Sequence, residues 1–151
     1  MVYMRLLLLV TLTVSITPAA ELCIRNEAGL DAQTLMLTMH HIRGHQELLG
    51  VDMAQGCSAS SIRLTFRTVP QAPHPQDALG ATRVTAGRVQ PEILIFAKSI
   101  LQMLQGASAE CKARALAKVV AHELSHYLRQ TKEHGDGLDR RQFDAEFLTS
   151  F

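Results

Sequence analysis

Between Ala113 and Leu128 the chain sets Ala113, Leu116, Ala117, Val120 and Leu124 at helical spacing, and beside that stripe it places His122, Glu123 and His126. No other stretch limits the fold so tightly. Two imidazoles and a carboxylate are costly to bury without partners, so the helix carrying them must border a cleft or hold something that satisfies them. Residues four apart share a helix face, so His122 and His126 can reach one metal ion. Glu123 follows the first imidazole directly, where it can address a water on that ion. His122-Glu123-Leu124-Ser125-His126 is thus an H-E-x-x-H arrangement, with two ligands, a general base and coordination positions left open.

Zinc is the ion this donor set suits, and it lowers the pKa of a bound water to about 7, so that a carboxylate can take the proton. Two histidines do not complete a catalytic zinc site; a third protein ligand is expected. The downstream candidates are His134, Asp136, Asp139, Asp144 and Glu146. His134 stands just before Gly135-Asp136-Gly137, where two glycines permit a sharp turn that folds the imidazole back beneath the first pair. Glu146 is its rival, within a second short helical pattern from Gln142 to Leu148. His41 and His45 also stand four apart on an earlier helix, with Thr34 and Thr38. No acidic residue interleaves them, so that side reads as a solvated face. His74, in a proline-rich loop from Gln71 to Gln76, reads as exposed.

The N-terminus belongs to a different kind of segment. Arg5 precedes an apolar run from Leu6 to Ile16, and Thr17-Pro18-Ala19-Ala20 is a small-residue region. This is the pattern of a secretory signal peptide over residues 1–20, leaving 21–151 as one domain outside the cytoplasm, secreted or periplasmic, with no stable membrane anchor after cleavage. The full chain has 15 basic and 14 acidic residues, so removing Arg5 leaves 14 of each. That balance, without a basic stripe or aromatic ladder, argues against nucleic-acid binding. Three cysteines remain, an odd number for an oxidising compartment. One disulfide is expected, and Cys23–Cys57, Cys23–Cys111 and Cys57–Cys111 all stay open.

Along the chain, Leu22 to Asn26 suits a first strand, and Asp31 opens a helix with Leu35, Met39, Ile42 and Leu49 inward. Gly50 ends that helix, and Val51 to Met53 suits a strand end. Ser58 to Ser61 is a turn, and Ile62 to Val69 alternates apolar and polar residues as a strand does. Ala78 to Val84 reads as extended, a turn falls near Gly87, and Ile93 to Phe96 is a buried strand. A short helix around Ile100, Leu101 and Leu104 ends at Gly106, and Ser108 caps the long helix. Strand, helix, two or three strands and then the long helix make an α+β domain, with helices packed on one mixed sheet.

His122 to His126, then seven residues, then His134 resembles the zincin metalloproteases. More narrowly, it is similar to a group of short secreted bacterial zincin-like proteins with that spacing, whose third histidine is followed by a Gly-containing turn ending in Ile-Met. The likeness extends upstream through the first strand and helix, Cys57 and Ala78-Leu79-Gly80. It implies a small zincin-like domain with His122, His126 and His134 as ligands of one zinc ion and Glu123 as the base. It also implies that Ala78 to Val84 is an edge strand along which a peptide or protein substrate lies, a binding mode that unpaired backbone groups support. The implied activity is zinc-dependent hydrolysis of peptide bonds by a metal-bound water activated by Glu123. The alternative is a non-catalytic zincin-like module that binds metal or protein. Two departures stand out: Lys132 occupies the position of the third histidine in the metzincins proper, and Leu138 or Asp139 the position of the turn methionine. Tyr127, Arg140 and Arg141 are candidate stabilisers of an oxyanion.

Overall fold

The computed structural model describes residues 20–134 and 142–150, without the side chains of residues 46–49. The leader up to Ala19, Leu49 as a core residue, the turn at Gly135 to Gly137, Asp136, Leu138, Asp139, Arg140 and Arg141 all lie outside the described residues or side chains.

Asn26 ends the first strand, β1 (Ala20–Asn26), and Asp31 then starts α1 (Ala32–Leu49). Asp31 caps that helix by accepting the Thr34 N–H at 2.9 Å and the Thr34 hydroxyl at 2.7 Å. Gly50 ends it in the left-handed region, at φ 65°, where a Cβ would be strained. Four strands follow, one more than the sequence reading allows: β2 (Val51–Met53), β3 (Ile62–Arg67), β4 (Gly80–Thr85) and β5 (Arg88–Phe96). β3 stops at Arg67, short of the Val69 expected, and β4 begins at Gly80 rather than Ala78. Ala86 and Gly87 both have positive φ, 49° and 76°, and this pair makes the tight β4–β5 hairpin turn.

The sheet order is β2-β1-β3-β5-β4. β2, β1, β3 and β5 run parallel, and β4 joins β5 antiparallel as the edge strand. In register, Leu22 lies beside Ile62, Leu64 beside Ile93 and Phe66 beside Ile95. All six side chains are buried. Arg63 and Glu92 are paired on the other face, where Arg83 reaches Glu92 at 3.1 Å. The apolar face is covered by α1, by α2 (Ala97–Met103) and above all by α3 (Ala109–Arg129), which completes the α+β layering. Ser108 caps α3 by accepting the Cys111 N–H at 3.2 Å. Most of α3 from Ala113 to His126 is buried, because its alanines let α1 and the sheet approach closely. A last helix, α4 (Ala145–Thr149), packs Leu148 into the same core.

Cys23 and Cys57 form the disulfide, tying β1 to the loop after β2, and Cys111 keeps a free thiol. Among the described residues, no helix is long and apolar enough to cross a membrane. The Thr34, Thr38, His41 and His45 side of α1 is not a solvated face. Thr34 and Thr38 are buried, and His41 and His45 are half-buried on a face that packs along α3. Glu110 of α3 supplies the acid that the stretch between His41 and His45 lacks, meeting His41 Nε2 at 2.7 Å. Burial first, then the neighbouring charges of His41 and Lys118, push the His45 imidazole below its ordinary pKa. Sequence periodicity on one helix does not show a partner helix 69 positions away.

Candidate metal centre

α3 brings His122 and His126 one turn apart, and the end of α3 brings the third imidazole to them. Gln130 adopts the left-handed conformation, φ 51°, and the chain reverses there. Its side-chain amide donates to the Tyr127 carbonyl at 2.8 Å and to the Val89 carbonyl at 3.3 Å, which pins the reversal to β5. Thr131 then donates its N–H to the His126 carbonyl at 3.1 Å and returns its own carbonyl to the His126 ring. Three residues later His134 lies against both rings, with centroids 4.8 Å from His126 and 5.4 Å from His122.

These three imidazoles offer ring nitrogens that all lie within 4.8 Å of one another. His122 Nε2 and His126 Nε2 are 3.1 Å apart. In a tetrahedral zinc site with Zn–N of about 2.0–2.1 Å, two ligand nitrogens stand about 3.3 Å apart, so this pair already has the spacing of one tetrahedral edge. The tautomer is suitable too. His126 Nδ1 lies 2.9 Å from the Thr131 carbonyl, and a carbonyl only accepts, so Nδ1 carries the proton. In the neutral ring this leaves the Nε2 lone pair directed toward His122, the second-atom arrangement typical of metal-bound histidine. His122 and His126 are buried while His134 is exposed, so the cluster is open on one side.

Glu123 sits beside this cluster with 6% of its surface exposed. The Thr82 hydroxyl of edge strand β4 bridges its carboxylate, at 2.7 Å from Oε2, and its backbone carbonyl, at 3.0 Å. Burial pushes the Glu123 carboxyl up to about 7, and the Thr82 hydrogen bond opposes that shift. Gly80 makes room for it: a Cβ there would stand 2.8 Å from Glu123 Cγ and Oε1. A glycine inside a strand often marks such a close approach.

Glu123, His126 and His134 share a cleft of about 240 Å³ with Gly80, Thr82 and His74. His74 is therefore not simply exposed: it is half-buried, its ring 5.6 Å from that of Phe96. Its proline-rich loop carries it back over β5, which composition could not reveal. Phe143, which no local pattern singles out, also adjoins the site: its ring meets His122 nearly edge-on at 5.0 Å. Neither rival acid among the described residues belongs to this cluster. Glu146 is exposed on α4 and outside the histidine cluster, and Asp144 caps α4 by accepting the Phe147 N–H at 2.7 Å. Tyr127 packs against the core. A larger hollow of about 810 Å³ lies where β1, β3 and β5 end, lined in part by Lys98, Lys112 and Gln105, away from this chemistry.

No protein-family model matches the chain, and neither does any curated protein or solved structure.

Proposed function

We propose that the protein is a zinc peptidase of zincin type, secreted or periplasmic, that hydrolyses peptide bonds. The observation carrying this reading is the convergence of His122, His126 and His134 beside a buried carboxylate, Glu123, at the foot of an edge strand. The donor chemistry fits zinc: three imidazoles, one of them already in the required tautomer. A zinc ion held there supplies Lewis acidity toward a water and a carbonyl oxygen.

The chain's own residues do the rest. Glu123, poised near neutrality, takes a proton from the attacking water and delivers it to the departing amine nitrogen. Thr82 holds the Glu123 carboxylate in place through Oε2. β4 presents a strand edge on the cleft side, where an extended peptide can add by backbone hydrogen bonds. The Cys23–Cys57 disulfide and the apolar leader at Leu6 to Ile16 support a location outside the cytoplasm.

The test is cleavage of a mixed peptide library by the mature protein beside Glu123→Gln. The expected result is zinc-dependent cleavage by the wild type and loss of on the order of 10²-fold or more in the variant. If both proteins bind zinc and cleave nothing, the chain is a metal-binding module and the peptidase reading fails.

A further inference from the structure

Residues 143–150 form a clamp on the metal helix. α4 has five residues, too few to hold its shape alone. Six contacts fix it. Leu148 is fully buried in the core. Asp144 caps the helix start at the Phe147 N–H. Lys118 donates its ammonium to the Phe147 carbonyl at 2.7 Å, to the Ser150 hydroxyl at 3.1 Å and to the Ser150 carbonyl. The same ammonium lies 5.1 Å from the centre of the Phe147 ring.

Lys118 and His122 are one turn apart on α3, so the residue that grips α4 and the residue that offers the first imidazole share a face. Between them run two rings. Phe147 stacks on Phe143 at 5.0 Å, with planes 23° apart, and Phe143 meets His122 at 5.0 Å, with planes 75° apart. Lys118, Phe147, Phe143 and His122 therefore form one continuous contact chain that starts and ends on the same helix. Phe143 thus sets an apolar ring against His122, with Phe147 behind it.

We propose that Phe143, backed by Phe147 and anchored through Lys118, is a positioning residue that helps to fix the His122 imidazole for metal binding. The inference rests on the metal reading above and adds a residue to it. Phe143 touches no reacting atom. It limits the orientations of the His122 ring and keeps water from its flank, so its effect is on ligand pre-organisation.

The experiment measures zinc affinity by competition with a chromophoric chelator, and the visible absorption of the cobalt(II)-substituted protein, in wild type, Phe143→Ala, Phe143→Leu and Lys118→Met. Phe143→Ala is expected to bind zinc about tenfold more weakly, in line with the usual cost of losing support behind a ligand. Its cobalt bands should shift with the ligand geometry, and Phe143→Leu should recover most of both. Lys118→Met should move affinity in the same direction, which keeps the test alive if Phe143→Ala does not fold. Wild-type zinc affinity and cobalt spectra in Phe143→Ala or Lys118→Met overturn the proposal, even where thermal stability drops, because that is a purely structural role. A wild-type protein that binds no zinc overturns the metal reading and this inference together.

Discussion

Replacing Glu123 by glutamine in the metal-free protein should make stability depend on pH in a specific way. The carboxyl is buried and pushed up to about 7 from an ordinary 4.5, so the folded state binds its proton more tightly than the unfolded chain does. A raised carboxyl contributes stability that is complete below pH 4.5 and is lost as pH climbs through about 7. The gap of about 2.5 units at 1.36 kcal/mol each corresponds to about 3 kcal/mol. Glutamine has the same shape and is neutral at every pH. Glu123→Gln should therefore exceed the wild type by about 3 kcal/mol at pH 8, on the order of 10 °C in Tm, and match it near pH 4.5. Urea and thermal unfolding followed by circular dichroism, in chelator, measure both. Saturating zinc should narrow the gap at pH 8, because a nearby dication favours the ionised carboxylate. An equal difference at pH 4.5 and pH 8 would refute the argument that Glu123 is held in a desolvated site.

Other predictions follow from individual contacts. Gly80→Ala drives a Cβ to 2.8 Å from Glu123 Oε1, so peptide hydrolysis should fall by about 10²-fold while zinc content is unchanged. Thr82→Val removes the hydrogen bond that lowers the Glu123 pKa, so the acid limb of the kcat/KM profile should move to higher pH. Reducing Cys23–Cys57, or replacing both by alanine, frees a loop of 34 residues and should cost about 4 kcal/mol in urea unfolding, without changing zinc stoichiometry in the folded state.

What the sequence made legible was local. The cap at Asp31, the stop at Gly50, the cap at Ser108 and the His122 to His126 spacing each depend on residues within one or two turns, and each appears in the structure. The α+β class followed from the alternation at Ile62 to Phe66 and the apolar run at Ile93 to Phe96. What stayed hidden was carried by distant parts of the chain. Thr82 reaches Glu123 across 41 positions, and Glu110 reaches His41 across 69. In sequence His74 reads as an exposed loop residue and Phe143 as part of a helical pattern, because their neighbours do not show that His74 lines the cleft or that Phe143 meets the His122 ring. The choice among three disulfide pairings depended on β1 and the loop after β2 lying side by side, a fact of sheet order rather than of spacing.

Zinc K-edge X-ray absorption on the mature protein, loaded with one equivalent and compared with His134→Ala, tests the metal centre most directly. One zinc per chain with three imidazole nitrogens at about 2.0–2.1 Å is expected, and one imidazole fewer in the variant. A spectrum of two imidazoles and a carboxylate, unchanged in His134→Ala, would contradict that ligand set.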